Sequence, residues 1–148
     1  MIRILFICHG NICRSPMAEF VMRDLVEKHD LADRFIIASA ATSTEEIGNP
    51  VHRGTRAILA ENGISAAGKT AVQLKKSDFD TYDYLIGMDS ANIANIRRIT
   101  GQTDKKICRL LDFTHHPRDI ADPWYTGDFD QTYADVLEGC QALLEQLM

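Results

Sequence analysis

The chain lacks a basic excess: 16 Lys and Arg stand against 21 Asp and Glu, a formal net charge of -5. That balance argues against a nucleic-acid binder whose affinity rests on a basic surface, so no nucleic-acid partner is expected. It also makes any attraction for an anion a local matter. No stretch is long and apolar enough to cross a membrane, and no membrane insertion is expected. The apolar opening from Met1 to Ile7 is too short for the core of a secretory signal, and a polar loop follows it. A cytoplasmic location is the resulting expectation. Cysteine is sparse: Cys8, Cys13, Cys108 and Cys140 form no C-x-x-C pair and are expected to stay mostly reduced. The five histidines are scattered, and the adjacent His115 and His116 lack a cysteine or acidic cluster. No metal site is expected, and no cofactor is implied. Internal repeats, low-complexity tracts and linkers are also missing.

What is present suits one domain spanning residues 1–148, since 45% of the residues are hydrophobic. Four short apolar runs read as buried strands: Arg3 to Ile7, Phe35 to Ala38, Asp83 to Met88 and Ile107 to Leu111. Helical patterns lie between them. Ser15 as cap and Pro16 at the first position open one that runs to about His29. Asn49-Pro50 opens a second by the same logic, ended by Gly63; Ser90 caps a third, closed by Gly101. The last carries an apolar stripe from Tyr133 through Val136, Leu137, Cys140, Leu143 and Leu144 to Leu147, which makes Cys140 a core residue; Cys108, in a strand, is assigned to the core as well. Alternation of this kind predicts an α/β fold: a four-stranded parallel sheet flanked by helices on both faces, three layers in all. Ligands of such sheets bind at the carboxyl ends of the strands. A long irregular stretch follows, Asp112 to Asp128, and a loop of that length in a compact domain is more often functional than idle.

The loop after the first strand is Cys8-His9-Gly10-Asn11-Ile12-Cys13-Arg14-Ser15-Pro16. Gly10 permits a positive φ and Asn11 tolerates one, so backbone N–H groups can turn inward. The helix that follows aims its positive end into the same space, which makes a nest for a tetrahedral oxyanion. Arg14 can grip two oxygens with a planar fork. Cys8 sits where its sulfur can attack the central atom. A free cysteine, with a pKa of about 8.5, is only a few per cent thiolate at neutral pH. The helix terminus, Arg14 and the Ser15 hydroxyl should all favour the thiolate. Cys followed by Arg at this distance is common by chance; the preceding strand, the glycine, the Ser-Pro start and the following helix together are not.

This loop, the Ser39-Ala40 stretch, Asn49-Pro50 and Asp122-Pro123-Trp124-Tyr125 together resemble the low-molecular-weight protein tyrosine phosphatases over nearly the whole chain. The resemblance implies hydrolysis of phosphotyrosine in two steps through a cysteinyl-phosphate, on a four-stranded parallel sheet. It implies Cys8 as nucleophile, Arg14 as phosphate clamp, and Asp122 as general acid and then base. Asp119, Asp128 and Asp130 compete for that last role on composition alone. At neutral pH an ordinary aspartate has lost its proton, so Asp122 needs cover from Trp124 and Tyr125 or the charge of a bound phosphate. The resemblance also places His9, Gly10, Asn11, Ile12, Cys13 and Ser15 around the substrate, and Trp124 and Tyr125 on the wall of a deep cleft. Glu45 and Glu46 would form the opposite lip. Asn11, Ser15 and Ser39 would hold the loop in shape. Cys13 would trap oxidised Cys8 as a disulfide, or else is only a small buried residue. The implied partners are a phosphotyrosine-bearing protein, with inorganic phosphate or vanadate as competing ligands.

The family often carries a histidine where Lys69 stands. Charged Lys69 accepts no hydrogen bond, so the loop's support must be wired differently. Asp89 is either a carboxylate near the site or a helix-start aspartate. Three other activities compete. Arsenate reduction on the same fold needs further thiols after the third strand, and residues 78–105 hold no cysteine. Phosphoarginine hydrolysis is associated with threonine where this chain has Ile12, an apolar floor suited to a flat ring. A non-catalytic phosphate or redox sensor would keep Arg14 without needing Asp122.

Overall fold

A computed structural model describes all of residues 1–148. Four strands, β1 (Ile2–Cys8), β2 (Phe35–Ala41), β3 (Tyr84–Gly87) and β4 (Ile107–Arg109), form one sheet in the order β2-β1-β3-β4. Every pairing is parallel, as the alternation predicts. Helices α1 (Arg14–Lys28), α2 (Arg53–Glu61), α3 (Asp78–Thr81), α4 (Ser90–Thr100), α5 (Pro123–Thr126) and α6 (Phe129–Leu147) fill the connections.

The strand β1 shows why both faces are covered. Ile4, Phe6 and Cys8 point into a core shared with Met17, Val21 and Met22 of α1 and Val136, Cys140 and Leu143 of α6. Leu5 and Ile7 point the other way, against Leu74, Leu85, Ile96 and Ile107. This period of two puts apolar side chains on both surfaces of the strand. Each fully buried side chain of the Phe6 or Ile4 kind contributes about 1.5–3 kcal/mol. Cys140 is buried as expected, whereas Cys108 is only half-buried.

From β1 the chain steps outward to β2, then crosses back to β3 on the other side of β1. The reversal opens a crevice beyond the carboxyl ends of β1 and β3. Cys8 ends β1 at one side of it, and Asp89 follows β3 at the other.

Several boundaries differ from the expectations. The second helix starts at Arg53 with His52 as its cap, not at Asn49-Pro50. The backbone before it is engaged elsewhere: Pro50 bridges Thr70, and Ala71 N donates to Asn49 O. The first helix starts at Arg14, which leaves the Ser15 hydroxyl free of capping duty. Asp89, not Ser90, caps α4 in a reciprocal box with Asn92. β2 runs on to Ala41, while β4 gives way at Leu110 to a 3-10 turn through Phe113.

Candidate active site

Between the end of β1 and the start of α1, the loop turns around the Cys8 sulfur. The positive φ belongs to Asn11, at 58°, and not to Gly10. Asn11 is held there by its own side chain: Nδ2 donates to Ser15 Oγ at 2.7 Å and Ser39 Oγ at 2.9 Å, and Oδ1 accepts from Val72 N at 3.1 Å. Three groups converge on Cys8 Sγ: Asn11 N at 3.3 Å, Ser15 N at 3.4 Å and Ser15 Oγ at 3.0 Å. Donors arranged so stabilise negative charge on the sulfur.

The direction of these bonds is set by Glu19, a residue the sequence reading passed over. Its buried carboxylate accepts from Ser39 Oγ at 2.5 Å. Ser39 therefore spends its proton on Glu19 and can only accept from Asn11. The Asn11 amide is oriented by Val72, so it donates to Ser15 as well. Ser15 in turn keeps its proton for Cys8. Arg23 pairs with Glu19 at 2.7 Å. Lys69 lies 3.8 Å from Glu19 and donates to Ser39 O at 2.9 Å. Lys69 thus supports the loop through Glu19 and the Ser39 backbone. The available sequence signal was Glu19's place one turn after Ser15, amid the apolar face of α1.

Arg14 is almost wholly buried. Nη1 donates to Asp89 Oδ2 at 2.6 Å and Ile120 O at 2.9 Å, and Nη2 reaches Asp122 Oδ2 at 3.4 Å. Burial works against its charge, but Cys8, Asp89 and Asp122 together outweigh that and raise its pKa. Its Nε is buried without a protein partner, a donor that an oxyanion in the cradle would satisfy. Asp89 fills both of its readings, as helix cap and as a ligand of Arg14.

Asp122 caps α5 by accepting from Trp124 N at 3.0 Å. Its side chain is 23% exposed. Trp124 and Tyr125 are 58% and 83% exposed. The aromatics therefore line the cleft without closing over Asp122, which stays half-buried.

A cleft of about 110 Å³ joins these parts, lined by Cys8, His9, Gly10, Ile12, Cys13, Arg14, Glu45, Glu46, Asp122, Trp124 and Tyr125. Asn11, Ser15 and Ser39 lie behind it. At its mouth His9 Nε2 meets Glu45 Oε2 at 2.9 Å. The Cys13 thiol is pushed up to about 12, by burial first and then by Cys8 and Asp122, so it stays protonated at neutral pH. Asp119 is used elsewhere, on Ser90 and Arg109. Asp128 caps α6.

Comparison with known proteins agrees with this geometry. A sequence profile for the low molecular weight phosphotyrosine protein phosphatases matches residues 3–148. The chain is 43% identical to the low molecular weight protein-tyrosine-phosphatase YfkJ of Bacillus subtilis, over 99% of this chain and 96% of that protein. The crystal structure of YfkJ superposes with a TM-score of 0.95, covering 99% of this chain and 94% of that one. The Streptococcus pyogenes phosphatase SP-PTP is 45% identical with a TM-score of 0.90, covering 100% of this chain and 94% of that one. Matched along nearly its whole length in sequence and in fold, the chain belongs to the low molecular weight phosphotyrosine protein phosphatase family.

Proposed function

We propose that the protein hydrolyses phosphotyrosine monoesters of proteins through a cysteinyl-phosphate. The observation that carries this reading is the single cleft holding Cys8 Sγ, the Arg14 guanidinium and the Asp122 carboxyl. In the first step Cys8 Sγ attacks phosphorus. An S–P bond forms, the bond to the phenolic oxygen breaks, and Asp122 gives that oxygen a proton. Arg14 and the loop N–H groups hold the three equatorial oxygens as charge spreads over them. In the second step water attacks phosphorus and gives its proton to Asp122. The S–P bond breaks, and phosphate leaves a regenerated thiolate. Phosphate and vanadate act as competitive ligands of the same cradle.

Ile12, an apolar lining of the cleft, favours a flat ring over a guanidinium. Trp124 and Tyr125 supply further aromatic surface beside it. Arsenate reduction is not supported, because residues 78–105, the segment that would carry the relay thiols, hold no cysteine.

The test compares two leaving groups. Asp122→Ala should lose roughly 10²–10⁴ in rate on phenyl phosphate, the range of general acid catalysis, and far less on para-nitrophenyl phosphate. Equal losses on both would remove Asp122 as the acid. Cys8→Ser should abolish turnover and still bind phosphate; turnover at the parental rate would sink the mechanism.

A further inference from the structure

His52 is not among the residues that line the cleft, yet it touches both of the cleft's apolar walls. Its backbone N–H donates to Ile12 O at 2.8 Å, which ties it to the phosphate loop. Its ring stacks on Phe129 at 5.1 Å with an interplanar angle of 16°. The edge of Trp124 meets the same ring at 5.8 Å and 80°. Phe129 in turn packs against Ile12, Cys13 and Ala71. The ring is also oriented from below, because Nδ1 accepts from Gly54 N at 3.0 Å and so caps α2. Gly54 is what lets the stack close: a Cβ there would lie 2.5 Å from the Phe129 ring. Trp124 is the second residue of α5, and the carboxylate of the capping Asp122 holds its N–H. One residue therefore joins the phosphate loop, through its backbone, to the start of α6 and the segment bearing the acid, through its ring.

We infer that His52 is a positioning residue for substrate specificity: it sets the spacing between Ile12 and Trp124 that admits the ring of an aryl phosphate. The inference rests on the proposed phosphatase reading and concerns the same cleft. Trp124 is 58% exposed, and an edge-to-face partner fixes the angle of its ring. The groups that face the anion, Asn11 N, Ser15 N and the Arg14 guanidinium, make none of their hydrogen bonds to the His52 ring, so anion binding does not depend on that ring.

Three variants separate the ring from the cap. Asn is a good helix cap without an aromatic ring, so His52→Asn keeps the α2 start and loses the stack. It should raise KM for a phosphotyrosine peptide about 3- to 10-fold, the value of one aromatic pair, with kcat changed less than KM. The inhibition constant for inorganic phosphate should stay within about twofold of the parent. His52→Phe keeps the ring and loses the acceptor; its KM should stay near the parent while its melting temperature falls. Gly54→Ala should repeat the KM effect by pushing Phe129 aside. If His52→Asn left KM unchanged, or moved KM and the phosphate constant together, the inference would be overturned. If the parent failed to hydrolyse the peptide at all, the phosphatase reading would fall first.

Discussion

Among single residues, Glu19 and Lys69 show opposite balances of the same forces. Glu19 is buried, accepts a charged hydrogen bond from Ser39 and pairs with Arg23. Lys69 is half-buried beside it. Burial depresses the Lys69 pKa more than the attraction of Glu19 raises it. Its folded value therefore lies below its unfolded one. The cost of charging it is present at neutral pH and is relieved as pH climbs through the two values. Removing this charge relieves that cost but loses the bond to Ser39 O, while Arg23 still pairs with Glu19. Lys69→Met is expected to cost about 1 kcal/mol, the worth of one ordinary hydrogen bond, and Glu19→Gln about 2 kcal/mol, the worth of a charge-assisted bond. Urea unfolding of the two variants checks this, and equal losses would contradict it. Cys8 and Arg14 were legible in the sequence from the strand, glycine and Ser-Pro helix start around them, whereas Asp122 stood out from Asp119, Asp128 and Asp130 only through the family resemblance. Glu19 was not, because its meaning depends on which way Ser39 and Asn11 spend their protons.

Apolar runs and terminal glycines announced most elements, but their starts were decided by contacts between segments. Asn49-Pro50 has the local chemistry of a helix start, yet its backbone is claimed by Thr70 and Ala71, and α2 begins three residues later. The same competition governs α6. Gly139 lies in its interior, where glycine costs about 1 kcal/mol relative to alanine. A Cβ there would approach Leu110 Cγ to 2.5 Å. Leu110 starts the turn that leads from β4 toward Asp122. Gly139→Ala should therefore destabilise by about 1–3 kcal/mol, as overpacking does, despite its better helix propensity. A lowered urea midpoint is the expected reading. A raised one would mean that Leu110 moves aside freely and that helix propensity wins.

At the scale of the whole molecule, Arg14 is the brace of the crevice. It leaves α1 and reaches Asp89 at the start of α4, Ile120 O and Asp122 on the acid-bearing segment. Asp119 secures that segment again, through Ser90 and Arg109, and Arg118 ties it to Asp135 and Glu138 of α6. The parallel order of the sheet was readable from the alternation of elements; the bracing by Arg14 was not, since it joins side chains 75 to 108 positions apart whose pairing no local pattern marks. In a chain of net charge -5, the brace also concentrates the anion-binding charge at one point. An oxyanion that satisfies Arg14 Nε should then stabilise the entire fold, because it binds only the assembled crevice. At a hundredfold excess over its dissociation constant the gain is about 2.7 kcal/mol, which for a chain of this size is a rise of about 5 to 10 °C in Tm. Cys8→Ser keeps the cradle and should show the rise, whereas Arg14→Ala should show almost none at matched ionic strength. An equal rise in Arg14→Ala would mean that phosphate acts by exclusion from the surface, and the brace would lose its role as the anion's anchor.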